Sequence, residues 1–141
     1  GIVGRVISVS PWASQVMLIT DEKAGAGAVV GQLGQSGALG SVRGRADLNV
    51  ALIEMRYVSG LEKVEIGDYV MTTGQDGIYP PGLNVGKVVD VKSGTATTAH
   101  QILIQPGAQL DHLEEVAVLL YHPPPRSTPE QTPQNAERTR R

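Results

Sequence analysis

The sequence predicts an all-β chain of short strands, and three observations carry that prediction. Seventeen glycines and nine prolines in 141 residues interrupt the chain too often for a helical bundle. The apolar runs are short and rich in Val, Ile and Leu, as in QILIQ at 101–105 and QVMLIT at 15–20. The most informative stretch, Val64 to Val89, reads VEIGDYVMTTGQDGIYPPGLNVGKVV. In it Val64 and Ile66 alternate before Gly67-Asp68, Tyr69 to Thr73 runs as a strand into Gly74, and Val85 to Val91 resumes the pattern. Between them Gln75 to Gly82 holds Gly77, Pro80, Pro81 and Gly82. Glycine permits positive φ, and proline fixes φ and removes a donor, so this segment is a loop between strands.

The remaining elements follow in order. Ile2 to Val9 is a strand, Ser10-Pro11-Trp12-Ala13-Ser14 a turn, and Gln15 to Thr20 a second strand, together an antiparallel hairpin. Ala24 to Ala28 is Gly/Ala-rich. Val29–Leu33 and Ala38–Val42 flank Gly34-Gln35-Ser36-Gly37 as a second hairpin, followed by a polar connector over 43–49. Val50 to Val58 reads as a strand, because Ile53, Met55 and Tyr57 alternate with Glu54 and Arg56. Ser59 to Lys63 is a loop, Lys92 to Ala99 a polar link, Gln101 to Gln105 a strand, Ala108 to Glu115 one short helical turn, and Val116 to Tyr121 a last strand. The final segment, HPPPRSTPEQTPQNAERTRR, has no apolar residue beyond Pro and Ala. It cannot offset an ordering cost of roughly 1–2 kcal/mol per residue, so a disordered tail is expected, with polyproline II character at Pro123-Pro124-Pro125.

Composition narrows the function classes. With no cysteine, disulfides, thiolate zinc sites and cysteine nucleophiles are excluded. Without phenylalanine the core must be Val, Ile, Leu and Ala, which suits the narrow interior of a small barrel. Residues 1–122 carry 8 Lys+Arg against 12 Asp+Glu, or −4, and residues 123–141 carry 4 Arg against 2 Glu, or +2. An acidic body argues against nucleic-acid binding. No apolar run approaches the roughly 20 residues needed to span a bilayer. The strand pattern begins directly at Ile2, so an upstream signal or membrane anchor is expected to precede it.

Candidate chemistry is sparse. His100, His112 and His122 lie at no metal spacing and read as surface histidines. Ser36 and Ser41 fit turns better than a serine triad, which geometry rather than sequence identifies. Gly25, Gly27, Gly31, Gly34, Gly37 and Gly40 lack the Gly-Lys-Ser/Thr of a phosphate loop. Asp68 caps a turn, and Arg138, Arg140 and Arg141 read as solvated tail. No catalytic residue, cofactor or metal is expected.

One resemblance is carried by ordered motifs. Val64-x-Ile66-Gly67-Asp68-x-Val70-x-Thr72-Thr73-Gly74, then Gly77-Ile78-x-Pro80-x-Gly82 and Gly86-x-Val88, resembles the hallmark segment of the rod shape-determining MreC family. Gly4-Arg5-Val6, Ser10, Ser14 to Asp21, Leu52 to Val58, Ile102 to Pro106 and Leu110 to Val118 are similar to that family in order, over roughly residues 1–121. The resemblance implies a membrane-anchored β-domain on the periplasmic or extracellular side, of two small linked barrels, one inserted in the other. By the same likeness, 1–21 and 96–122 form the outer barrel, incomplete at its start if upstream strands are absent, 22–95 the inserted one, and 123–141 the tail. It also implies a non-enzymatic scaffold of the cell-wall elongation machinery. The implied partners are a class B penicillin-binding transpeptidase, the membrane protein MreD and further copies of itself. A chymotrypsin-like hydrolase and an RNA-binding barrel are the competing classes.

The structural loop motif is Gly67, Asp68, Gly74, Gly77, Pro80, Pro81, Gly82 and Gly86. Within it Ile78, Tyr79 and Leu83 are candidate partner contacts, since a stiff loop loses little entropy on docking and tyrosine is enriched in hot spots. A competing and weightier reading folds these side chains back to plug a barrel end.

Overall fold

In the computed structural model, residues 1–31, 37–45 and 51–123 are described. The expected tail therefore lies almost wholly outside the described residues, as do Gly34, Ser36 and most of the 43–49 connector. Among the described residues eight strands follow one another: β1 (Gly4–Val9), β2 (Ser14–Leu18), β3 (Gly25–Val30), β4 (Ala38–Gly44), β5 (Ile53–Val58), β6 (Tyr69–Thr72), β7 (Asn84–Lys92) and β8 (His100–Pro106). No helix occurs among the described residues, so the architecture is all-β. Strands β1 and β2 form a two-stranded sheet, and the other six close into a barrel in the order β3-β4-β5-β8-β7-β6.

Period-two patterning builds the barrel wall. Ile53 and Met55 of β5, Ile102 and Ile104 of β8, and Val42, Val70, Val85 and Val88 point inward and are fully buried. The interior is filled by branched side chains and small alanines, Ala26 and Ala28 of β3 among them, as a narrow barrel requires.

Several expectations are corrected by position. The first barrel strand starts at Gly25, inside the Gly/Ala run, and pairs with β4 from Gly25↔Arg43 to Val30↔Ala38. In β5 the alternation breaks at a bulge between Met55 and Val58. The bulge turns Tyr57 outward at φ 67 and lets Val58 face the core instead. Val64 to Ile66 forms no strand, although Val64 packs on the core. The helical turn expected after β8 is a single hydrogen-bonded turn, His112 N–H to Gln109 C=O at 3.2 Å. Val116 to Tyr121 is not a strand: its backbone has no ladder partner among the described residues, and Val116, Val118, Leu119 and Leu120 are exposed.

The partners of β8 also differ from those expected. It lies between β5 and β7, with Ile53↔Ile104 and Val88↔Ile104, and so completes the barrel built by residues 25–92. Among the described residues no ladder joins β8 to β1 or β2. The reason is its inward Ile102 and Ile104, which the core of β5 and β7 covers.

Core and ribbon should respond differently to truncation. Ile104→Ala is expected to cost about 2–5 kcal/mol in chemical unfolding. Val9→Ala, at a site 75% exposed, should change stability by less than about 0.5 kcal/mol.

Candidate functional site

The proline-glycine loop over 73–83 is built on one threonine. Thr72 ends β6 and is buried. Its backbone N–H donates to Leu83 C=O at 2.9 Å and its C=O accepts from Gly82 N–H at 2.9 Å. Its hydroxyl donates to Pro80 C=O at 2.6 Å and accepts from Leu83 N–H at 2.9 Å. One residue thus holds both the tip and the return of the loop. Gly74 takes φ 74, and a Cβ there would lie 2.8 Å from the Pro81 ring, so this position needs glycine on two counts. Asp76 fixes the loop to the barrel: its Oδ2 accepts from Gly27 N–H at 2.7 Å and its Oδ1 from Ile78 N–H at 3.0 Å.

Tyr79 is carried inward by this loop and is only 4% exposed. It joins the core cluster together with Ile2 and Ile19, which flank the β1–β2 ribbon. Burial pushes its phenol pKa above the ordinary value, Arg5 of β1 partly opposes this, and Asp76 adds to it. Ile2 N–H donates to Asn84 C=O at 3.0 Å. The loop is therefore the joint between ribbon and barrel. Of the three candidate contacts, Tyr79 is placed in the core, Leu83 packs partly against it, and Ile78 stays half-exposed.

The motif residues do not all meet. Gly74, Gly77, Pro80, Pro81 and Gly82 share the joint. Gly67 and Asp68 lie at the opposite end of the barrel, before β6 begins. There Asp68 Oδ2 accepts from Glu65 N–H at 2.9 Å, the expected turn-capping role. Gly86 sits in the wall of β7, opposite Pro106.

His100 is not a surface residue; it is 7% exposed. Its Nδ1 accepts from Gly94 N–H at 2.9 Å. Nε2 therefore carries the proton and donates to Glu62 C=O at 2.7 Å. The signal was present: counting back by twos from Ile104 and Ile102 puts position 100 inside. The polar link before it masked that parity. His112 and His122 are exposed. Among the described residues no group of three His, Cys, Asp or Glu is placed to hold a metal ion.

The joint has a pH signature. A phenol pKa raised by folding contributes stability that is complete below the unfolded value, about 10. That contribution is lost as pH rises through the raised one. Tyr79→Phe, followed by chemical unfolding between about pH 8 and 11, should lose stability less steeply at the alkaline end than wild type.

The fold and the joint can be set beside known proteins. The family model described as rod shape-determining protein MreC, barrel core, matches residues 1–120. The cell shape-determining protein MreC of Caulobacter vibrioides is 35% identical over 89 residues, covering 63% of this chain and 24% of that protein. The solved MreC of Listeria monocytogenes superposes with a TM-score of 0.67 at 27% identity, over 78% of this chain and 52% of that one. A complex between penicillin-binding protein PBP2 and MreC from Helicobacter pylori contains the same fold, with a TM-score of 0.57 at 19% identity, over 77% of this chain and 63% of that one. The chain spans about two fifths of the length of other curated relatives it matches. The strand order, the proline-glycine joint and the match across 1–120 agree: this chain belongs to the MreC family of rod shape-determining proteins.

Proposed function

We propose that this chain acts as a non-enzymatic scaffold in bacterial cell-wall elongation, docking a class B penicillin-binding transpeptidase. The observation that carries the reading is the family match over nearly the whole described chain, joined to a fold shared with an MreC solved in complex with PBP2. The state of the histidines favours a scaffold over a hydrolase. Both nitrogens of His100 are committed to backbone groups, so the one buried histidine has no atom left to activate a serine. Net charge disfavours the RNA-binding reading, since residues 1–122 carry 8 Lys+Arg against 12 Asp+Glu.

The two-barrel design belongs to the same proposal. Val6, Ile7, Val9, Trp12, Val16 and Leu18 of the ribbon are exposed, as are Leu113, Val116, Val118 and Leu120 after β8. Apolar surface of this extent calls for cover, and a two-stranded sheet is marginal alone. The outer barrel would take 1–21 and the segment from 107 to 122, with β8 left in the inserted barrel. The expected anchor upstream, the extracytoplasmic location, MreD and self-association complete the reading.

Binding measured between this chain and the purified extracytoplasmic part of a class B penicillin-binding protein from the same cell tests it. Saturable binding is expected; none at concentrations up to about 1 mM, a free energy near −4 kcal/mol, would contradict the proposal.

A further inference from the structure

At the end of the barrel opposite the joint, one buried ring bridges two turns. His100 begins β8, and its backbone pairs with Val58 of β5. Its Nδ1 accepts from Gly94 N–H at 2.9 Å, and its Nε2 meets Glu62 C=O at 2.7 Å. Only the neutral ring with its proton on Nε2 satisfies both partners. The two turns so joined lie against each other: a Cβ on Gly60 would fall 2.1 Å from Thr95 O and 2.3 Å from Thr98 O.

The turns are held in different ways. The 95–98 turn is complete in itself. Thr95 N–H donates to Thr98 C=O at 3.1 Å and to Thr98 Oγ1 at 2.9 Å. Thr95 Oγ1 in return accepts from Thr97 N–H at 3.3 Å and from Thr98 N–H at 3.2 Å. All four of its residues are exposed, so apolar burial does little to seat it, and the Gly94–His100 bond ties it to the barrel. The 59–62 turn has its own bond, Glu62 N–H to Ser59 C=O at 3.0 Å, and is followed by Val64, which packs on the core.

A second proton on the ring acts on one bond alone. It sits on Nδ1, where it turns an acceptor into a donor aimed at another donor, Gly94 N–H. The Nε2 bond survives and becomes charge-assisted. Acid therefore releases Gly94 and the turn it carries, while Glu62 stays attached. The sign follows: the closed arrangement admits only the neutral ring, so it holds at neutral and alkaline pH and is lost as pH falls. Histidine is the side chain whose charge changes between about pH 5 and 8.

The neighbouring charges leave one competitor. On β5, Glu54 and Arg56 are paired at 3.0 Å and Tyr57 is exposed. After the 59–62 turn, Lys63 pairs with Glu65 at 3.2 Å. Asp90 and Lys92 of β7 are exposed. Residues 93–99 and the rest of β8 hold no charged side chain. That leaves the Glu62 carboxylate, on the residue whose carbonyl receives the ring.

We propose that His100 is an acid-sensitive latch, which frees the 93–98 segment from the barrel when its ring takes up a proton. The test follows amide hydrogen exchange from about pH 7.5 to 5, corrected for the intrinsic effect of pH, in wild type, His100→Asn and Glu62→Gln, with the ring nitrogens of wild type followed by NMR. In wild type the Gly94 amide should lose protection about tenfold or more by pH 5, in step with ring protonation, while the Ile102 and Ile104 amides keep theirs. His100→Asn, whose Oδ1 can accept from Gly94 but takes up no proton, should hold Gly94 equally at both ends of the range. Glu62→Gln should behave as wild type. Unchanged Gly94 protection in wild type overturns the latch. So does loss of protection at Ile102 and Ile104 together with Gly94, which is global unfolding, or an acid response that persists in His100→Asn or vanishes in Glu62→Gln. Should His100→Asn fail to fold, wild type decides: a ring that stays neutral to pH 5 while Gly94 opens overturns the proposal.

Discussion

The hydroxyl of Thr72 is the constraint on which the rest of the molecule depends. It is buried and makes two hydrogen bonds, one donated to Pro80 and one accepted from Leu83. A buried hydroxyl without partners costs about 1–3 kcal/mol, so the loop and the strand end hold each other in place. Thr72 also pairs with Ala28 where β6 meets β3, the seam that closes the barrel. The same residue therefore fixes sheet closure and the loop that carries Tyr79 into the core.

From this follows a division of the barrel into two ends. One end is a joint, where Tyr79, Ile2 and Ile19 share a core and the ribbon is attached. The other end carries, among the described residues, the turns over 59–62 and 95–98, whose segments His100 fastens together through Glu62 and Gly94. Both ends gain rigidity from backbone contacts so close that a side chain would not fit, Gly74 against Pro81 and Gly60 against Thr95. On the scaffold reading proposed above, this rigidity is what would let the domain hold its partners at a fixed distance and orientation.

Much of the fold was legible because period-two patterning is local. Ile102 and Ile104, or Tyr69 to Thr73, announce strands without knowledge of their neighbours. The first hairpin was legible as well, with Ser10 bonding to Ala13 at 3.0 Å as a turn serine does. What failed depended on partners. Gly25 to Ala28 shows only a Gly/Ala-rich composition, and is a strand because it pairs with β4 along its length, with Thr73 packed so close to Gly27 that a larger side chain would collide. Val116 to Tyr121 looks like a strand by propensity, and has no ladder to join among the described residues. The β5 bulge exchanged Tyr57 for Val58 on the inner face, a shift that alternation cannot reveal. At the candidate site, the loop and its glycines could be read from the sequence. The direction of Tyr79 could not, since its burial depends on Ile2 and Ile19 of the same core cluster, sixty residues or more earlier in the chain.

The central claim is that the 73–83 loop is a rigid joint integral to the barrel. Native-state hydrogen exchange of the Gly82 and Leu83 amides measures this directly, since both donate to Thr72. If the account is right, they exchange only with global opening, at the rate of the Ile102 and Ile104 amides in β8. Exchange through local opening, at rates close to those of the exposed segment from Val116 to Leu120, would contradict it.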